Sequence, residues 1–310
     1  GFIEAMINYR KKFKNICKQD RVYGITLRSC DKDIPGWNKA ANFLKKNENV
    51  KVHYGLDKTG NIYNIDNITS FAQLFNNDAD LVTADGGFDF STNFNKQEQS
   101  SLRIIFCEIV AALSIQKKGG AFVCKVYDTY THVSISFLFL LSCLYNTVTL
   151  TKPFTSRPAN SEKYLVCQGF KGISPILLKK LHIIVKSWSL IDNRGEIIYR
   201  IMEMDSIPEE FINKVLEYNT NYFNQQVLNI EKTLKYIEKF SLKEDYEYTE
   251  LYKKTIERQV KLAYYWCKKY KCKINYESEV MINCNIPIQN RRPSTDRDNK
   301  NYKKKSVKVI

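Results

Sequence analysis

Through the first half of the chain, short apolar runs alternate with amphipathic ones. That is the βαβ pattern of a parallel sheet flanked by helices, and it narrows the fold to the α/β class. Phe2 to Ile16 reads as a helix and Val22 to Leu27 as a strand. Gly55 to Asn64 reads as a turn around Asp57-Lys58-Thr59-Gly60, and Asn67 to Phe75 as a short helix. Leu81-Val82-Thr83-Ala84 is expected as a buried strand ending at Asp85-Gly86-Gly87. Next, Leu102, Ile105, Phe106, Ile109 and Leu113 share one helical face. Asn95 with Glu98 resembles a capping box at its start, and Lys118-Gly119-Gly120 a glycine stop at its end. Ala121 to Cys124 follows as a strand ending at Lys125. A helix near Val133 to Tyr145, a strand near Val148 and a last strand at Lys163 to Cys167 complete the set, with the loop Ser156 to Glu162 between the two strands.

Beyond Gly172 the pattern becomes helical. Ser206 with Pro208 is expected to start one helix, striped by Phe211, Ile212, Val215 and Leu216; another covers Tyr248 to Tyr270. The predicted division is a sheet domain over 1–172, a helical region over 173–289 and a basic flexible tail over 290–310. In that tail eight Lys and Arg face two Asp, against a net charge of +15 for the 310-residue chain. Such an excess points to a polyanionic partner, nucleic acid first. A hydrophobic content of 44%, with 20 Tyr and 17 Phe, excludes a disordered chain. No uninterrupted apolar run reaches the ~18 residues of a membrane-spanning helix, and no basic-then-apolar leader predicts secretion. Nine Cys without a C-x-x-C pair, and His53, His132 and His182 far apart, exclude a zinc-finger pattern. They fit reduced thiols in an intracellular compartment.

In an open α/β sheet, ligands bind outside the carboxyl ends of the strands. Asp85, Lys125 and Glu162 are the ionisable residues expected there. Each alone has an ordinary reading: a turn after a strand, a solvated lysine, a loop acid. Together, on successive elements of one sheet, they can form a charged site.

The runs Asp80 to Phe88, Cys107 with Ala112-Leu113-Ser114-Ile115, Gly119-Gly120 with Phe122 to Lys125, and Lys152-Pro153 with Thr155 to Tyr164 resemble the cap-specific mRNA nucleoside 2′-O-methyltransferases, of the FtsJ-like class. The likeness covers about residues 1–172, and the phrase Ser156-Arg157-Pro158-Ala159-Asn160-Ser161-Glu162 is near that of enzymes acting on the first transcribed nucleotide. The resemblance implies a Rossmann-like, S-adenosylmethionine-dependent sheet and a Lys-Asp-Lys-Glu tetrad whose last three members are Asp85, Lys125 and Glu162. It places the cofactor at Gly1 and Phe2 (the end of a glycine-rich turn), at Asn61 and Ile62, where Asn replaces the usual acid, and beside Asp85. It places substrate RNA at Asn95, Lys96, Gln97 and Asn160, and implies the capped mRNA 5′ end as substrate, with other capping enzymes or the transcription machinery as partners. The expected location is the nucleus or cytoplasm, or the cytoplasm or a virion if the source is viral. The first tetrad Lys and the first strand lie upstream of Gly1 in the family, so the sequence is expected to be one piece of a longer protein.

Lys125 is the candidate base for the ribose 2′-hydroxyl. A free lysine loses its proton near ~10.4, and bringing that to about 7 costs roughly 4 kcal/mol. Burial and a second cation supply it; neighbouring carboxylates oppose it. With two acids to one lysine, the piece alone is expected to be inactive and to bind the cofactor weakly, and the longer protein to be active. A non-catalytic RNA-binding relic of the same fold explains the charge but not the joint presence of Asp85, Lys125 and Glu162. Ribosomal or transfer RNA is the alternative substrate, and no G-x-G-x-x-G after a strand supports a nicotinamide enzyme. If phosphates carry RNA binding, log affinity falls linearly with log salt; a flat plot from filter binding would assign affinity to base or cap contacts instead.

Overall fold

The computed structural model describes residues 1–13, 20–28, 36–37, 40–87, 96–194, 197–241, 245–275 and 307–309. The chain forms two compact units. The first holds residues 1–156, 160–222 and the C-terminal strand; the second holds 157–159 and 223–305. Residues 173–222, grouped by sequence pattern with the helical region, lie in the first unit.

In the first unit, α1 (Phe2–Phe13) leads to β1 (Val22–Ile25), α2 (Ala41–Lys46) and β2 (Val50–His53). The strands β1 and β2 pair in parallel as a two-stranded sheet. Then come α3 (Ile65–Ala72), β3 (Ala79–Ala84), α4 (Gln97–Ile115), β4 (Gln116–Val126), α5 (His132–Leu144), β5 (Tyr145–Thr151) and β6 (Lys163–Phe170). With β7 (Val307–Val309) they form a five-stranded sheet in the order β3-β4-β6-β5-β7. α6 (Pro175–Asn193) and the start of α7 (Glu209–Ser241) add to this core. In the second unit the rest of α7 and α8 (Asp245–Lys269) are helical, α8 carrying Glu250–Lys254 and Glu257–Lys261 pairs at i,i+4. The tail of 290–306 falls outside the described residues, and 307–309 pair with β5 as a strand.

The α/β expectation holds, and the parallel sheet is corrected. β3 and β4 are parallel, but β6 runs antiparallel to both β4 and β5. Residues 152–162 join β5 to β6 with no helix between them, and a parallel return needs a crossover of a dozen or more residues. A reversed strand is what so short a connection allows.

The core is built on α4, which packs on β4 and between α3 and α6. Phe106, Cys107, Ile109, Val110 and Ala112 have no exposed surface. Phe106 stacks on Phe137 at 5.5 Å and meets Trp188 at 5.5 Å, tying α4 to α5 and α6. Phe71, Ala79 and Ile115 form a smaller cluster that also receives Tyr23 and Ile25 from β1.

Three further readings change. β3 is not buried: Leu81 is 45% exposed, because among the described residues β3 is an edge strand paired only with β4. α4 ends at Ile115, earlier than the glycines; Gly119 (φ +82°) instead sits in an irregular stretch of β4, where pairing skips from Gln116 to Ala121. The capping box read at Asn95 and Glu98 involves a residue outside the described ones; Glu98 Oε1 accepts from Thr131 N (2.8 Å), Thr131 Oγ1 (2.8 Å) and Ser134 Oγ (2.6 Å) at the start of α5. Ser206 caps nothing on α7; it ends a 3-10 turn, and its hydroxyl donates to Glu203 O at 2.5 Å. No helix among the described residues is long and apolar enough to cross a membrane.

Truncating Phe106 to Ala removes the ring shared by three helices. The expected loss is roughly 3–5 kcal/mol of stability, read from urea unfolding midpoints at constant m-value.

Candidate active site

The strand reversal sets the site. Lys125 is paired with Tyr164 and Val126 with Lys163, so Glu162, just before β6, lies at the same sheet edge as the carboxyl ends of β3 and β4. Glu162 thus begins a reversed strand rather than ending a parallel one. Asp85 follows β3 directly, and its main-chain O accepts a hydrogen bond from Lys125 Nζ at 2.6 Å. Ser156 Oγ donates to Glu162 Oε1 at 3.2 Å. Two tyrosines occupy the space among these groups. Burial first, then the Glu162, Glu108 and Asp85 carboxylates, push the Tyr127 phenol up to about 12. Burial and then Glu162 and Asp85 do the same to Tyr164, whose hydroxyl also bonds Glu162.

The glycines after Asp85 answer to this crowding. A Cβ on Gly86 would stand 2.6 Å from Glu108 Oε1 and 2.9 Å from Ile104; a Cβ on Gly87 would stand 3.1 Å from both Lys125 Nζ and Tyr127 OH. The Gly86 N–H donates to Glu108 Oε1 at 2.7 Å, and Cys124 Sγ lies 3.8 Å from Oε2. Burial raises the Glu108 carboxyl from 4.5 to about 7, with Asp85 adding to the rise and the Gly86 N–H and Lys125 opposing it. The neighbouring thiols are also raised by burial: Cys107 and Cys167 to about 12, and Cys124 well above its ordinary value.

The remaining predicted residues fall into three places. Phe2 meets Tyr164 edge-on at 5.8 Å, which brings the first turn beside β6; a Cβ on Gly1 would touch nothing within 4 Å. Asn61 and Ile62 lie in the loop between β2 and α3. There Asp57 accepts from Thr59 N (2.9 Å), Thr59 Oγ1 (2.7 Å), Asn64 Nδ2 (2.9 Å) and Asn67 Nδ2 (2.9 Å). Those donors, Thr59 first, hold the Asp57 carboxyl far below its usual range. Gly60 (φ +71°) is required here, since a Cβ would stand 1.7 Å from Thr26 O. The Asn61 side-chain oxygen is already used, accepting from Tyr63 N at 3.0 Å, and Ile62 packs against the main core. Asn61 also lines a cleft of about 450 Å³ with Tyr63, Asp66, Arg103 and Lys186, away from Asp85, Lys125 and Glu162.

The third place is where the RNA-contact candidates meet. Ser161 Oγ donates to Gln97 Oε1 at 2.5 Å, joining the start of α4 to the loop before β6. Lys152 Nζ donates to Asn160 O (2.8 Å), Asn160 Oδ1 (2.6 Å) and Glu162 O (2.8 Å), fixing that loop. Lys96 is the residue before α4, and its side chain makes no cap bond. Asn95 lies outside the described residues.

Glu108 and Tyr127 were not singled out by sequence reasoning, and Lys152 and Tyr164 stood in a quoted motif without a role. Glu108 had a signal, being a lone acid inside the apolar run of α4; the place of Tyr164 needed the register of β6. If burial governs Glu108, its contribution to stability is complete below about 4.5 and lost as pH rises through about 7. The loss is roughly 3 kcal/mol at ~1.4 kcal/mol per tenfold. Glu108→Gln keeps an oxygen for Gly86 and does not ionise, so its stability relative to wild type should rise by that amount between pH 4.5 and 8 in urea titrations. A gap independent of pH would refute the burial account.

The FtsJ-like methyltransferase family model matches residues 1–170. The chain is 32% identical over 230 residues, 71% of its length, to "Cap-specific mRNA (nucleoside-2′-O-)-methyltransferase 1" of Dictyostelium discoideum, covering 29% of that protein. It is 30% identical to the Mus musculus protein of the same name over 79% of this chain and 29% of the other. It is also 29% identical, over 75% of this chain and 28% of the other, to a Caenorhabditis briggsae protein named "Inactive cap-specific mRNA (nucleoside-2′-O-)-methyltransferase 1B". The chain therefore spans under a third of the length of these relatives. With the family model matching more than half of its residues and a charged cluster at the matched sheet edge, the chain belongs to the FtsJ-like methyltransferase family.

Proposed function

We propose that the full-length protein transfers a methyl group from S-adenosylmethionine to the ribose 2′-hydroxyl of the first transcribed nucleotide of capped mRNA, inside the cell, and that this chain by itself is inactive. The observation that carries this reading is the convergence of Lys125, Asp85 and Glu162 at one sheet edge, with Lys125 Nζ 2.6 Å from Asp85 O. One relative is named inactive, so similarity alone does not decide the activity; the presence of Asp85, Lys125 and Glu162 together supports it.

The residues fit a positively charged donor. Two carboxylates, Asp85 and Glu162, stand near one ammonium, and this net negative edge favours a cation. When bound there, S-adenosylmethionine supplies an electrophilic methyl on a sulfonium. Asp85 would hold its methionine end, Gly1 and Phe2 would flank it, and Ile62 with Asn61 would meet its adenosine. With the positive charge of the bound sulfonium beside it favouring the neutral amine, Lys125 would take the proton of the attacking 2′-hydroxyl, and Glu162 with Tyr164 would orient that amine. Asn95, Lys96, Gln97 and Asn160 would hold the RNA chain, and Lys152 would keep the Asn160 loop in shape. Positioning by such a network turns a bimolecular encounter into an oriented one.

Lys125→Met removes the amine while keeping the length of the side chain. Methyl transfer to capped RNA should fall roughly 100- to 10,000-fold with RNA affinity little changed. Unchanged turnover in a tritiated-methyl assay would end the reading, and loss of RNA binding with turnover intact would reassign Lys125 to phosphate contact.

A further inference from the structure

One peptide group connects the buried Glu108 to the amine of Lys125. Its N–H, from Gly86, donates to Glu108 Oε1 at 2.7 Å; its C=O, from Asp85, accepts from Lys125 Nζ at 2.6 Å. In a planar trans peptide the two groups point in opposite directions, and no cis bond occurs among the described residues. The unit therefore bridges α4 to β4 across the end of β3. We propose that Glu108 is the positioning residue for Lys125, holding and polarising the Asp85–Gly86 peptide so that its own charge is felt at the amine. The structural connection is independent of the methyl-transfer reading; only its effect on turnover rests on that reading.

Hydrogen bonds in a chain polarise one another. An ionised Glu108 draws on the Gly86 N–H and makes Asp85 O the stronger acceptor for Lys125; a protonated one relaxes both bonds. The close approach is enforced by glycine, since a Cβ on Gly86 would collide with Oε1. The titratable groups facing Glu108 are Cys107 on its own helix, Tyr63 from the loop before α3, Asp85 at the end of β3, and Cys124, Lys125 and Tyr127 along β4. Burial keeps the thiols and phenols among them protonated through neutral pH, while Glu108 changes charge at about 7.

The test is a pH titration of isotopically labelled protein by NMR. The Gly86 amide and the Lys125 Cε resonance are expected to inflect with a common midpoint near 7. Both inflections should vanish in Glu108→Gln. Lys125→Met should keep the Gly86 inflection, because the near end of the bridge is intact. Persistence of the Gly86 inflection in Glu108→Gln, or a Lys125 resonance blind to the Gly86 midpoint, would overturn the proposal. If Glu108→Gln does not fold, the wild-type titration decides alone, since unequal midpoints refute the coupling. In a methyl-transfer assay Glu108→Gln should also lose a step near pH 7 from the rate profile. Shared midpoints in a protein without methyl transfer would leave the bridge standing and remove the proposed function instead.

Discussion

Because β6 enters the sheet between β4 and β5 antiparallel to both, its first residues rather than its last share an edge with the carboxyl ends of β3 and β4. The position of Glu162 in the proposed site follows from that reversal. It sets Tyr164 across from Lys125 and Lys163 across from Val126, so that Glu162 lies at that end of the sheet. A parallel β6 would have carried Glu162 to the opposite end of the sheet. The loop 152–162 is then stiffened by Lys152, whose ammonium gathers Asn160 and the Glu162 carbonyl. A charged hydrogen bond of this kind is stronger than a neutral one, so a connection without secondary structure can still present fixed side chains.

The second layer of the site is electrostatic and lies beneath the first. A carboxyl placed inside an apolar helix is destabilising in its charged form, and α4 carries one at Glu108. What it gains is a partner for a main-chain N–H that would otherwise face the core with no acceptor. The glycine pair after Asp85 is thus a packing requirement as much as a turn preference. Gly86 admits Glu108 and Gly87 leaves room for Lys125 and Tyr127.

Much of this was readable in the sequence and some was not, for definite reasons. α4 was legible because its apolar residues repeat with helical spacing over several turns, α5 because Val133 to Leu144 is one apolar run, and Asp85 and Lys125 because each directly follows a short apolar run. The direction of β6 was hidden, since strand polarity depends on connection length and on which neighbour pairs, not on the residues of the strand. The bonds from Thr131 to Glu98 were hidden because their partner lies far along the chain. Gly119 looked like a helix stop, but the chain had already turned extended at Gln116. Leu81 looked buried because its neighbours are apolar, whereas an edge position left it open to solvent.

The three thiols around this core have a practical meaning. Cys107, Cys124 and Cys167 have no exposed surface, and their protons are held tightly. Electrophiles react with thiolates, not thiols, so alkylating reagents and peroxides are excluded while the domain is closed. Modification of any of the three would time-stamp an opening of the central layers, giving the protein a chemical clock for its own breathing.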